Sequence, residues 1–464
     1  MGLKFFNSLG RVKQDFTPLK AGEVRMYVCG VTVYDQSHVG HARVMVVFDL
    51  LYRWLQQSGF SVCYVRNFTD IDDKIIQRAA ENGEDVFSLT QRMIAAFHRD
   101  MDALGCLRPT VEPRATDYMP QMIAMIESLI DKGIAYLSDG GDVLFSVRSF
   151  SDYGALSGKN IDDLASGSRV DIDQKKRDPL DFVLWKPAKM GEPAWQSPWG
   201  DGRPGWHIEC SAMSCHHLGE SFDIHGGGMD LKFPHHENEI AQAVAANGGD
   251  FAKVWLHNGF VNINAEKMSK SLGNFFTIAD VISCYPAEVL RMFIVGTHYR
   301  SPLDFSDQAL SEARLGLDRL YEVKKRVMQL DDIALADQLL LPQPFVDAMN
   351  DDLNTPEALA VLFETAHRLN KAIDEGGDVT DDWSSFVAMT DLLALVQDDA
   401  TGWFQSGVND LDVAHIESLI AARKEARLAK DFARSDAIRA ELMALNIILE
   451  DGAAGTTWKV KELA

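Results

Sequence analysis

A chain of 464 residues exceeds one typical hydrophobic core, so two to four domains are expected. No run of about 18 apolar residues could span a membrane, and residues 1–11 lack the basic-then-apolar pattern of a secretory leader, which predicts a cytoplasmic protein. The net charge of −23 argues against nucleic-acid binding through the bulk field, leaving only local basic patches for it; six scattered cysteines argue against a disulfide framework and for free thiols or metal ligation.

Residues 24–29 are β-branched and aromatic and end at Gly30, which predicts a buried strand. A turn containing His38-Val-Gly-His41 follows. It opens a helix over residues 42–57, with Val44, Val47, Phe48, Leu51 and Leu55 at helical spacing. A strand feeding a helix aims free N–H groups and the positive dipole end at an anion. Gly40 lets a ring or phosphate approach the backbone, and two imidazoles can donate to phosphate oxygens. The plain alternative is that His38 and His41 only cap the helix. Residues 62–68 predict a second strand, and Thr69 or Asp70 would cap the next helix. Strand, helix, strand, helix is the order of a parallel α/β sheet, whose ligands sit at the carboxyl ends of the strands. Cys29 and Thr69 share that rim.

Residues 86–104 and 119–131 are helical in pattern, and residues 135–174 suggest a small β-containing insertion. Then come Gly205-Trp-His-Ile-Glu-Cys-Ser-Ala-Met213 and, at residues 222–239, Phe-Asp-Ile-His-Gly-Gly-Gly-Met-Asp-Leu-Lys-Phe-Pro-His-His-Glu-Asn-Glu. Residues 222–225 predict a strand and Gly226 to Gly228 a turn. His235 and Glu239 are four apart, on one helix face. Thiolate, imidazole and carboxylate make a zinc set: Cys29, Cys210, His235 and Glu239 are candidates, with Cys215, His216 and His236 as alternatives. Lys267-Met-Ser-Lys-Ser271 is a cationic, donor-rich loop suited to steadying a polyphosphate.

His38-Val-Gly-His41 with Lys267-Met-Ser-Lys-Ser271 resembles the HIGH and KMSKS signatures of class I aminoacyl-tRNA synthetases. Tyr27-Val-Cys-Gly-Val-Thr32, Asn67-Phe-Thr-Asp-Ile-Asp-Asp-Lys74 and the two stretches at 205–213 and 226–239 narrow the likeness to the cysteinyl-tRNA synthetase family, strongly over residues 20–310. One departure is Val33, where that family commonly has proline; it removes no chemical group. The resemblance implies one zinc on Cys29, Cys210, His235 and Glu239, taking the substrate cysteine's thiolate. It implies ATP with Mg²⁺ as co-substrate, His38, His41 and Gly40 at the phosphates, and Lys267 and Lys270 at the leaving pyrophosphate. Asp230 falls to the adenosine, and Thr69 and Trp206 to the cysteine pocket. Selection by zinc makes physical sense: an apolar pocket separates isosteres by only ~10²-fold, whereas one demanded polar contact reaches ~10⁴–10⁵.

The expected architecture is an α/β, Rossmann-like parallel-sheet catalytic domain with a small insertion, then an α-helical bundle and a small mixed α/β C-terminal domain. Its expected boundaries are 1–115 and 205–260 for the catalytic halves, 116–204 for the insertion, 261–305 for the KMSKS loop and stem contacts, 306–405 for the bundle and 406–464 for anticodon binding. Arg423, Lys424, Arg427, Lys430, Arg434 and Arg439 form a local basic cluster that could grip RNA, with Trp458 to stack on a base. The expected partners are L-cysteine, ATP and tRNA(Cys), with no membrane, and the chain is expected to be a monomer. A related group of ligases hands activated cysteine to an amino sugar and lacks the C-terminal extension.

Overall fold

Four of the apolar runs pair into one fully parallel sheet in the computed structural model. The structure describes residues 2–161, 176–263, 266–267, 276–330, 335, 339–405, 410–445, 447–452 and 455–460. The sheet holds β1 (Glu23–Thr32), β2 (Ser61–Thr69), β3 (Ser221–Gly228) and β4 (Phe251–Asn258), in the order β4-β3-β1-β2. Tyr27 lies opposite His225 across β1 and β3, and His225 opposite Trp255 across β3 and β4. Strands covered on both faces are apolar almost throughout, which is why Val24, Met26, Tyr27, Val28 and Cys29 are all buried. Helix α1 (Val39–Gln57) crosses over between β1 and β2 and buries Val46, Phe48, Leu51 and Leu55. Helices α2 (Trp206–Leu218) and α3 (Glu237–Asn247) flank β3 in sequence.

Two local expectations fail. The helix after β2 starts at Asp73, not at residue 70; its cap is Asp72, whose carboxylate accepts from Lys74 N at 2.9 Å. Thr69 is still paired with Thr32 in the sheet, and Asp70 is buried, accepting from Thr116 N and Oγ1 at 2.9 and 2.7 Å. Gly226 to Gly228 are not a turn but the last residues of β3. Glycine is needed there for close packing: a Cβ on Gly226 would sit 2.2 Å from the Phe48 ring.

An antiparallel sheet of Ala135–Leu137, Val143–Phe145, Phe182–Pro187 and Gly202–Pro204 lies between the halves of the parallel sheet in sequence. The chain divides into two compact units. One comprises residues 1–279, 293–309 and 342–360; the other comprises 280–292, 310–341 and 361–464.

In the second unit Tyr321 stacks on Trp403, ring centroids 4.2 Å apart, and donates to Glu288 Oε2 at 2.8 Å. Helices Asp410–Leu428 and Phe432–Ala444 close over the hairpin Ile447–Gly452 and Gly455–Val460 around Ile416, Ile420, Ile438, Leu442, Ile447 and Trp458. Trp458 is therefore core, not a base-stacking platform: it is 4 % exposed, and its indole N–H donates to Glu417 at 2.7 Å. Arg423 is spent inside the protein as well, donating through both Nη atoms to Asp451 at 2.9 Å, where Arg427 joins at 3.0 Å. Among the described residues no helix is long and apolar enough to cross a membrane.

Candidate metal and nucleotide site

The carboxyl end of β1 brings Cys29 to the rim, α2 brings Cys210, the turn into α3 brings His235, and the first turn of α3 brings Glu239. Their ligand atoms all lie within 4.8 Å of one another, and all four residues are buried. Cys29 Sγ is 3.8 Å from Cys210 Sγ and 3.3 Å from Glu239 Oε1, and His235 Nε2 is 3.0 Å from the same oxygen. Tetrahedral zinc with bonds to sulfur near 2.3 Å spaces its two sulfurs about 3.8 Å apart, so the donor set fits zinc. Helix α3 proper begins at Glu237, preceded by a π-type turn over Lys232–His236, yet His235 still reaches Glu239.

A second set, Cys29, His225, His236 and Glu239, overlaps the first. Its imidazoles are engaged otherwise. His225 Nε2 is 2.8 Å from Glu239 Oε2, and His236 Nδ1 is 2.8 Å from His257 Nε2, which leads on to Ser8 Oγ at 2.8 Å. Cys215 and His216 belong to neither set; Cys215 accepts from Asn247 at 3.5 Å. The quartet has an outer layer. His207 Nδ1 lies 2.8 Å from His235 Nδ1, His225 holds the other oxygen of Glu239, and Asn67 Oδ1 accepts from Gly30 N at 2.9 Å beside Cys210. Such partners fix the orientation of metal ligands.

The electrostatics favour a cation. Burial pushes the Cys29 thiol well up, whereas the hydrogen bond from that thiol brings Cys210 down to about 6 against its own burial. Burial raises Glu239, but His225 and His235 hold its carboxyl well below the usual range. Burial opposes charge on His235 as well; the Glu239 carboxylate and Cys210 outweigh it and lift the imidazole to about 10. Burial, with His235 alongside, holds His207 down to about 3. A carboxylate and an easily ionised thiol thus face one point, balanced by a proton that a divalent ion would displace.

His38 and His41 do cap α1, and reciprocally: His41 N donates to His38 Nδ1 and His38 N to His41 Nδ1, each at 3.3 Å. The rings stack with centroids 3.7 Å apart. Because each Nδ1 accepts, a neutral ring carries its proton on Nε2. The capping reading and the phosphate reading are therefore not alternatives. Trp206 is 39 % exposed and stacks on His235 at 4.2 Å. Thr69, buried, donates to Glu209 Oε2 at 2.7 Å, and burial holds that carboxyl well above its usual range. Asp230 follows the end of β3, where a Cβ on Gly228 would meet its Oδ1 at 2.5 Å. Lys267 lies in the short strand Glu266–Lys267, paired with Asn262; its side chain and the whole of Lys270 lie outside the described residues.

His207, His225, Asn67 and Glu209 were not singled out by the sequence. Each has apolar neighbours but shares its stretch with a second polar group (Arg66 with Asn67, Asp223 with His225, His207 with Glu209), so the available signal was faint.

Three profiles of known families match the chain: tRNA synthetases class I (C) catalytic domain over residues 15–315, DALR domain over 344–397, and cysteinyl-tRNA ligase anticodon binding domain over 412–458. A cysteine–tRNA ligase of Thioalkalivibrio sulfidiphilus is 56 % identical over 459 residues, covering 98 % of this chain and 99 % of that protein. One from Laribacter hongkongensis is 55 % identical with the same coverage. Among solved structures, methionyl-tRNA synthetase of Mycobacterium tuberculosis with methionyl-adenylate matches with a TM-score of 0.53 at 16 % identity, covering 89 % of this chain and 87 % of that one. A leucyl-tRNA synthetase complex of Agrobacterium radiobacter matches with 0.58 at 13 %, covering 86 % and 87 %. These two likenesses carry the fold.

Proposed function

The chain belongs to the cysteine–tRNA ligase family, and from that premise we propose that it activates L-cysteine with ATP, transfers it to tRNA(Cys), and selects it by its thiol. The observation that carries this reading is the buried quartet of Cys29, Cys210, His235 and Glu239, its two sulfurs 3.8 Å apart. A zinc ion held there would accept a substrate sulfur as thiolate and discriminate against the harder hydroxyl of serine.

The remaining chemistry is positioning and charge stabilisation. Trp206 and Thr69 border the amino-acid pocket, Thr69 oriented by its bond to Glu209. In the first step a cysteine carboxylate oxygen bonds to the α-phosphorus of Mg²⁺-bound ATP. The bond from that phosphorus to the bridging oxygen breaks, and pyrophosphate leaves with the electron pair. His38 and His41 meet the phosphates from the N-terminus of α1, with Gly40 between them and Asp230 toward the adenosine. Lys267 and Lys270 neutralise the departing pyrophosphate. In the second step a hydroxyl of the terminal ribose of tRNA attacks the cysteinyl carbonyl and AMP leaves. Residues 406–464 take the anticodon end, 306–405 form the bundle, 261–305 the stem contact, and 116–204 the connective insertion within the catalytic halves 1–115 and 205–260. The protein works in the cytoplasm as a monomer.

The test is exchange of labelled pyrophosphate into ATP, driven by cysteine or by serine, with zinc counted per chain and tRNA charging measured in parallel. Cysteine-only exchange with one zinc and charged tRNA is expected. Exchange without charging would favour the amino-sugar acceptor, a reading that the match to an anticodon-binding domain over residues 412–458 speaks against.

A further inference from the structure

Arg43 lies two residues beyond His41 on α1 and is 1 % exposed. Its guanidinium donates to four main-chain carbonyls: Nη1 to Phe260 at 3.0 Å, and Nη2 to Tyr299 at 3.1 Å, to His298 at 3.4 Å and to Ser301. A cation buried against neutral carbonyls is an expensive way to fill a core position, and burial alone brings this guanidinium down to about 10. What it holds together explains the expense. Phe260 leads directly into strand Val261–Ile263, and residues 298–301 lead into strand Leu303–Phe305, its parallel partner. The two approaches are already knitted by Gly259 N donating to Tyr299 at 2.8 Å and Leu303 N donating to Phe260 at 2.9 Å. They run so close that a Cβ on Gly259 would lie 2.4 Å from the Ser301 carbonyl.

The segment that continues from Val261–Ile263 carries Lys267 and Lys270 and rejoins described chain at Phe276. There Val39 N donates to Phe276 O at 3.2 Å and Ile278 N to Ser37 O at 2.9 Å, and His38 bridges Thr277. Both flanks of the lysine segment are therefore bonded to α1: the exit flank to the turn holding His38, the entry flank to the Arg43 side chain.

We propose that Arg43 is a positioning residue for adenylate formation, registering the lysine signature against the histidine signature by clamping the entry flank of the lysine segment to α1. The inference rests on the activity reading above. Arg43 touches no substrate; it acts through Lys267 and Lys270.

The test is a double-mutant cycle in cysteine-dependent pyrophosphate exchange with Arg43→Lys, Lys270→Ala and the pair. Arg43→Lys is expected to lower kcat by about 10- to 100-fold, the scale of an ångström of misplacement, with the KM for cysteine and the zinc content unchanged. In the Lys270→Ala background the same change should cost less than about 3-fold, because the lysine it positions is already gone. Losses that multiply in the double variant, or a loss of exchange that tracks loss of zinc or a raised KM for cysteine, overturn the proposal in favour of a purely structural arginine. If Arg43→Lys fails to fold, Gly259→Ala disturbs the same junction with Arg43 intact, and is read against Lys270→Ala by the same criterion. Absence of exchange in the wild type would sink the activity reading instead, before any variant is compared.

Discussion

Two polar clusters, each built on a carboxylate, Glu239 in one and Asp451 in the other, come to opposite ends. Around Glu239 the groups are wholly buried, and two imidazole nitrogens, His225 Nδ1 and His236 Nε2, find no hydrogen-bond partner among the described residues. Donor atoms converge on one point, and the neighbouring Glu239 carboxylate and Cys210 favour the charged form of His235 there against its burial. Around Asp451 the carboxylate already takes two hydrogen bonds from Arg423, one from Arg427 and one from Thr456. The first arrangement is one that could hold a metal ion; the second is complete and holds a hairpin on two helices. Charge seen in a sequence does not distinguish these cases, because the partner decides.

The sharpest way to break this contrast is to remove a convergent sulfur. Cys210→Ser should abolish stoichiometric zinc and lower cysteine-dependent exchange by more than about 100-fold, beyond the range that outer partners of a metal site cost. Retention of both zinc and activity would mean the convergence is only core packing. An outer partner gives a middle case. His207→Gln removes the ring 2.8 Å from His235 and should weaken zinc about 10-fold in a chelator competition, leaving the fold intact. At the other cluster, Asp451→Asn strips the ion pair from a nearly buried Arg423. It should cost about 1–3 kcal/mol in urea unfolding of the C-terminal unit and leave pyrophosphate exchange at the wild-type rate. A fall in exchange would merge what the comparison separates.

The smallest effect is the pH dependence of that ion pair. The hydrogen bonds from Arg423, with those from Thr456, hold the Asp451 carboxyl well below the usual range. Its folded value is thus depressed, so the stability it contributes is fully present above the ordinary value near 4 and is lost as pH falls through the folded one. Between pH 5 and 3, about the window where the unfolded carboxyl takes its proton, the wild-type midpoint in urea should fall more steeply than that of Asp451→Asn. Parallel slopes would show that the pair contributes no linkage.

The frame was legible where one physical demand sets the residue pattern. Continuous apolar runs gave β1 and β2, and Val47, Phe48, Leu51 and Leu55 at helical spacing gave α1. The pairing of His235 with Glu239 followed from their separation of four. Reading failed where one residue type serves two demands. Glycine marks a turn or a close approach, and at Gly226 the Phe48 ring requires the second. Arginine marks a nucleic-acid surface or an internal ion pair, and Arg423 is the second because Asp451 arrives from 28 residues away. His207 against His235 and His225 against Glu239 are likewise meetings of separate elements that no local spacing announces.

The reciprocal cap at His38 and His41 has a thermodynamic side. Free imidazoles on a surface would each surrender rotamer freedom on gripping a triphosphate, a charge of about 0.5–1.5 kcal/mol per side chain against affinity. Here the backbone amides of the helix start have already frozen both rings, one stacked on the other. That ordering entropy is settled during folding, so the phosphate contact proposed for these rings would form on a rigid surface and leave binding free energy available for the transition state.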